Sequence, residues 1–160
     1  MPRRLILKKA KIKDMRFMFN LYNYAVVNNF FNSKKKINYE DHKNWYLDSY
    51  KSKSIKIFIC FLNKIRVGYI KFDIIDKTAS KVSIISKKKY QKQGIASFML
   101  TNGSIINSKI SKTNYLYAEV KKKNKISQKF FLKNKFKLIK YIKKFNLIFS
   151  SNNNLYLKKL

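Results

Sequence analysis

The chain has 160 residues, 46% of them hydrophobic, which suits one domain over 1–160 with a core of ordinary size, and 38 Lys and Arg against 7 Asp and Glu give a formal charge of +31. No run approaches the roughly 20 apolar residues that span a bilayer, and charges occupy Met1–Ala10 where a signal peptide would be apolar, so a cytoplasmic protein is expected and a membrane span is not. The single cysteine, Cys60, excludes an internal disulfide and lies in the apolar run Ile57–Leu62, where it reads as a small buried hydrophobe.

So large a positive charge ordinarily points to nucleic acid, because clustered lysines release counterions from phosphates. Here 34 Lys, 17 Asn, 20 Ile, 13 Phe and 11 Tyr dominate the composition, all residues with A/T-rich codons, and the lysines are spread along the chain instead of gathered in one arm. Codon bias accounts for much of the excess. Nucleic acid is therefore not expected as the main partner, although the charge favours anionic small molecules.

Arg4–Lys8 reads as a first strand, and Asp14 can cap a helix through Phe17, Phe19, Leu21, Tyr22 and Val26. Asn38 and Asp41 resemble the start of a second helix with Trp45 and Tyr46 on its apolar side. Ile55–Leu62, a tight turn at Asn63-Lys64, and Ile65–Ile74 make a hairpin; after a turn at Asp76–Ser80 a strand follows at Lys81–Ser86. A loop over Lys87–Gln93 leads into a helix at about Gly94–Ser108, then come a strand at Tyr115–Val120 and a helix at Lys125–Asn134. Strands are expected at Phe136–Ile142, Asn146–Ser150 and Leu155–Lys159, with Ser150–Asn154 as the last turn. Antiparallel hairpins combined with a strand-helix-strand-helix segment predict an α+β fold, one mixed and mostly antiparallel sheet flanked by helices in α/β/α layers.

The most informative segment is Ser86–Leu100, SKKKYQKQGIASFML, which carries one of only three glycines at the mouth of a helix directly after a β-branched strand. Glycine there admits a close approach to the backbone, and the N–H groups of Gln93, Gly94, Ile95 and Ala96, together with the helix dipole, suit a phosphate. Gln91-Lys92-Gln93-Gly94-Ile95-Ala96 resembles the Q/R-x-x-G-x-G/A pyrophosphate-binding signature of the GNAT N-acetyltransferases. Tyr117–Phe136, YAEVKKKNKISQKFFLKNKF, is similar to the later motif of the same superfamily, with matching positions at Asn124, Ser127, Phe130, Phe131, Lys133 and Phe136. Two positions depart from it. Lys135 stands where glycine usually precedes the last phenylalanine, leaving Asn134 as the residue able to take a left-handed conformation, and Phe131 stands where a tyrosine often protonates the departing thiolate.

The resemblance implies acetyl-CoA as acyl donor, lying in a V-shaped opening between the strands around Val82–Ser86 and Tyr115–Val120. Its pantetheine arm would run along Ser83, Ile84, Ile85 and Ser86, with a backbone N–H such as that of Ile85 polarising the thioester carbonyl. Asn124, Ser127 and Phe131 complete the implied cofactor site. A primary amine then attacks directly, without a covalent enzyme intermediate or a metal, which suits one cysteine, one histidine and no ligand cluster. Candidate bases are Glu119, on the strand flanking the opening, and His42. The setting of His42, INYEDHKNWYLDSY with Asn32 and Ser33 upstream, resembles the H-x-x-W segment of GNAT enzymes of the pseudaminic acid pathway type, which acetylate nucleotide-linked amino sugars, as does Gly68–Asp73, GYIKFD. That likeness implies an anionic nucleotide-sugar acceptor held near Asn32, His42 and Trp45; a monomer or homodimer is expected. Competing readings keep the fold with a protein or peptide amine as acceptor, or make the chain a weakened CoA-binding module or a basic RNA-associated protein.

Overall fold

The computed structural model describes residues 4–28, 35–139 and 153–160. In chain order they form β1 (Leu5–Lys9), α1 (Met15–Val27), α2 (Tyr39–Lys51), β2 (Ile55–Leu62), β3 (Ile65–Ile74), β4 (Ala79–Ser86), α3 (Ile95–Ser111), β5 (Tyr115–Lys121), α4 (Lys125–Lys133), β6 (Lys137–Ile139) and β7 (Asn153–Lys159). The strands make one sheet in the order β1-β2-β3-β4-β5-β7-β6. Every neighbouring pair is antiparallel except β4 and β5. A parallel pair needs a crossover, and α3 supplies it. Among the described residues no helix is long and apolar enough to cross a membrane.

Strand alternation divides the interior into two layers. Phe58, Cys60, Ile70, Phe72, Val82, Leu116, Ala118 and Val120 face α3 and α4, where they meet Ile95, Met99, Leu100 and Phe131. Ile57, Ile59, Tyr69 and Ile85 face the other way and pack on Met18, Leu21, Ala25 and Tyr46 of α1 and α2. The result is the α/β/α arrangement that the hydrophobic pattern predicts. Cys60 is fully buried, and burial pushes its thiol up to about 11.

Several boundaries differ from the sequence reading. Asp14 sits in a 3-10 turn before α1 and does not cap that helix; it accepts from the Lys11 N–H at 2.8 Å and from Arg66 Nε at 2.7 Å, a 3% exposed carboxylate paired with a guanidinium. Ser80 and Ala79 belong to β4 because Asp76 closes the turn early, accepting from the N–H groups of Thr78 and Ala79 at 2.6 and 2.9 Å. The last strand begins at Asn153, so Asn153 and Asn154 are strand residues, not turn residues. The strand expected at Asn146–Ser150 lies outside the described residues, as does the far end of the one expected at Phe136–Ile142. The left-handed residue after α4 is Lys135, with φ 68°, while Asn134 keeps φ −90°. The Phe136 N–H reaches the Phe131 carbonyl and the Lys135 N–H the Leu132 carbonyl, each at 3.0 Å, and the two phenylalanine rings meet at 5.0 Å. This is a Schellman stop with its hydrophobic clasp, built without the usual glycine.

Candidate active site

β4 and β5 pair only at Ala79–Lys81 against Tyr115–Tyr117. β4 then continues to Ser86 paired on its other side with β3, and β5 to Lys121 paired with β7. Beyond Lys81 and Tyr117 the two central strands have other partners and part. The apex of this opening is pinned from behind: Ser80 Oγ lies 3.1 Å from Thr113 Oγ1, and Asn107 Nδ2 of α3 donates to Ser80 Oγ at 3.2 Å, all in the buried interior.

The hydrogen-bond alternation of β4 decides which backbone groups face the gap. The Lys87 N–H donates to the Val67 carbonyl at 2.8 Å, and the register runs on unbroken from Gly68 against Ser86 to Ile74 against Ser80. Odd-numbered residues of β4 therefore turn their N–H and carbonyl toward β3, and Ile84 and Ser86 turn theirs toward the opening. This corrects the assignment of Ile85 as the carbonyl-polarising donor. The Ile85 carbonyl points into β3, where a Cβ built on Gly68 would come within 2.6 Å of it, and its side chain packs on the α1 side. Ser83 shares the orientation of Ile85 by the same alternation.

At the mouth of the gap, Gly94 is the N-cap of α3 with φ 78°. A Cβ there would meet nothing within 4 Å, so this glycine is required by its backbone conformation and stands in open space. Gln91, Lys92, Gln93 and Gly94 are exposed, and Lys92 is also left-handed at φ 58°. Ile95 is buried beneath them and Ala96 is half-buried. The first N–H groups of α3, which have no partner within a helix, thus open onto an uncrowded surface beside Lys89 and Lys92.

The face of the sheet turned toward α1 and α2 carries a polar row at the apex. Lys71 Nζ donates to both oxygens of Asp73, at 2.8 and 2.6 Å, and lies 5.8 Å from the centre of the Trp45 ring. Asp73 stands opposite Lys81 in the β3–β4 register, Lys81 Nζ donates to Glu119 Oε2 at 2.9 Å, and Asn153 Nδ2 donates to Glu119 Oε1 at 2.6 Å. Tyr117 lies among them. Burial first, then the Asp73, Glu119 and Asp76 charges, push its hydroxyl up to about 12. Only Trp45 and Glu119 of this group were legible as candidates in the sequence. Lys71 and Asp73 share a face of one strand two residues apart, whereas Lys81, Tyr117 and Asn153 join them and Glu119 through strand pairing, for which no local pattern gives a signal.

His42 and Phe131 occupy other settings than the sequence reading gives them. His42 is 2% exposed between α1 and α2, with Nε2 3.1 Å from the Met15 carbonyl and Phe19, Trp45 and Tyr46 around the ring. Burial lowers its pKa, outweighing the hydrogen bond to Met15. The ring so enclosed packs the α1–α2 contact. Phe131 is 6% exposed and sits in the core against Phe130, Phe136 and Tyr156. Asn124 Oδ1 accepts from the Ser127 N–H at 3.0 Å, which makes this pair the N-terminal cap of α4. Asn32 lies outside the described residues.

Residues 4–137 match the family described as the acetyltransferase (GNAT) domain, and the chain belongs to that family. It is an acyl-CoA-dependent N-acetyltransferase. Solved structures share the fold at low identity. Spermidine N-acetyltransferase of Vibrio cholerae, in complex with CoA and spermine, is 16% identical with a TM-score of 0.80, over 97% of this chain and 95% of that one. YncA of Salmonella typhimurium, solved with its cofactor acetyl-CoA, is 15% identical with a TM-score of 0.77, over 98% and 93%. The ribosomal-protein-alanine N-acetyltransferase of Brucella melitensis is 18% identical with a TM-score of 0.76, over 97% and 99%. No curated protein matches the chain in sequence.

Proposed function

We propose that the chain moves an acetyl group from acetyl-CoA to a primary amine of a nucleotide-linked amino sugar by direct attack. The observation that carries the donor half is the parting of β4 and β5 beyond Lys81 and Tyr117, with the exposed, glycine-opened N-terminus of α3 following the free end of β4. Gln91–Ala96 hold the pyrophosphate through backbone N–H groups, and the gap-facing N–H groups of Ile84 and Ser86 hold the pantetheine and polarise the thioester carbonyl. The cap of α4 at Asn124 and Ser127 borders the far side of the cofactor. The amine nitrogen attacks the carbonyl carbon, a C–N bond forms and the C–S bond breaks. Glu119 takes the proton released by the ammonium, and Lys81 and Asn153 fix the direction of its carboxylate. Phe131 has no proton to give, so the thiolate leaves unprotonated, which a thiol pKa of about 8.5 tolerates.

The acceptor half rests on charge. A chain of +31 attracts anions and repels a polycation. Thermal stabilisation by acetyl-CoA, set against a Gly94→Trp variant, tests the donor half: the indole displaces no atom and adds only the strain of a left-handed residue, about 1 kcal/mol, while the pyrophosphate is blocked. A shift in the wild type that the variant loses is expected. CoA release with amino-sugar nucleotides and with amine-terminal peptides then tests the acceptor; release with peptides alone would replace the sugar reading with a peptide one.

A further inference from the structure

The lysines are spread along the chain, but the acids are not. All seven Asp and Glu lie at or before Glu119, and residues 120–160 carry 13 Lys and no acid. A codon bias raises the lysine count everywhere and does not by itself gather the acids at one end. Within this segment Lys125, Lys129 and Lys133 fall at i, i+4 and i+8 of α4, about 40° apart around the helix and about 6 Å apart along it. All three are exposed, as are Lys122 and Lys123 in the turn that leads into α4, and none of the five enters an ion pair among the described residues. Gln128 ties that turn to the helix, its Nε2 donating to the carbonyls of Lys121 and Lys122 at 3.1 and 2.7 Å. The stripe costs the free protein stability. Like charges four residues apart repel, and Lys125 stands in a first turn without an acid, at the positive end of the helix dipole. A polyanion laid along the stripe relieves both.

We propose that Lys125, Lys129 and Lys133, with Lys122 and Lys123, form a docking surface for the phosphate backbone of a nucleic acid, additional to the acetyl-transfer site. Ammonium groups in a row meet successive phosphates and release their counterions. On α4, Phe130 is half-buried and Phe131 buried, so the stripe offers bases no stacking platform and the contact is independent of sequence. An anionic membrane fits this surface less well. The exposed apolar residues of α4, Ile126 and Leu132, are six apart and so about 120° apart around the helix, and they make no continuous face to insert.

The test is fluorescence anisotropy with a labelled oligouridylate of about 20 nucleotides, titrated at about 0.05 to 0.2 M salt with saturating acetyl-CoA present. Binding is expected to weaken as salt rises. Lys125→Gln with Lys129→Gln and Lys133→Gln should flatten the slope of log K against log salt by about 2, at about 0.7 for each lost contact, and leave the acetyl-CoA thermal shift in place. The free variant should melt slightly higher than the wild type, because the repulsion along α4 is gone. Lys13→Gln with Lys51→Gln and Lys53→Gln removes the same charge from exposed positions elsewhere and should leave the slope nearly unchanged. Five results would overturn the proposal. They are no binding of the oligouridylate, equal flattening by the two triple variants, loss of the acetyl-CoA shift in the α4 variant, a lower melting temperature of that variant, and binding to phosphatidylserine vesicles in place of RNA that Ile126→Ser abolishes. Equal flattening would assign the binding to net charge, and a lost acetyl-CoA shift would give the lysines to the donor site. A persisting shift without RNA binding rejects the surface and leaves the acetyltransferase reading standing.

Discussion

Single residues divide here between those that hold a conformation and those that carry chemistry. Gly94 and Lys135 both sit at positive φ, at 78° and 68°, yet only one is glycine. Replacing Gly94 by Ala meets no atom but forces a side chain into the left-handed region, so a loss of about 1 kcal/mol or somewhat more is expected in urea denaturation, with weaker acetyl-CoA binding. Lys135→Gly should do the reverse, raising stability by about 1 kcal/mol because the Schellman stop no longer strains a β-carbon. Glu119→Gln keeps the size of the side chain and removes the proton acceptor. It is expected to lower kcat by about 10²-fold or more without changing the acetyl-CoA thermal shift; unchanged turnover would transfer the base to another group or to water.

Between elements, the α1–α2 contact is built around a buried imidazole and has a pH dependence of known sign. In the unfolded chain His42 titrates near its ordinary value of 6.5, and in the fold desolvation holds it lower. Above that value both states are neutral and nothing is lost. As pH falls below it, the unfolded chain takes up a proton that the packed ring refuses, so stability declines until pH passes the lower folded value. Melting between about pH 5 and pH 8 should show this slope, and a His42→Gln variant should flatten it. The β3–β4 contact is equally particular: Gly68 lies against the Ile85 carbonyl, so Gly68→Ala must move backbone on the strand that borders the cofactor gap. That substitution should lower both the melting temperature and acetyl-CoA affinity, and the melting temperature by more than Gly94→Ala does, because it displaces a neighbouring strand where Gly94→Ala strains only its own backbone.

For the molecule as a whole, the +31 charge acts at long range on anionic ligands. Raising ionic strength from about 0.05 M to 0.5 M should weaken acetyl-CoA binding several-fold, since exposed lysines such as Lys89 and Lys92 are screened beyond about a Debye length. The fold class was legible in the sequence because its signals are local: two β-rich segments, Ile55–Leu62 and Ile65–Ile74, about a turn at Asn63-Lys64 read as a hairpin, and the glycine before Ile95 reads as the opening of a helix. Glu119 could be placed on β5 for the same reason, and Trp45 on α2. What surrounds them could not. Lys81 meets Glu119 across 38 positions and Asn153 meets it across 34, contacts set by which strands pair and in what register. The gap lies where the β4–β5 ladder stops at Lys81 and Tyr117 while β3 and β7 hold the outer edges of the two strands, and His42 became a core residue because α1 closes over it. Local pattern determines which element a residue joins and which face it shows. Burial, partner and proton affinity depend on segments distant in the chain, so only the tertiary structure decided them.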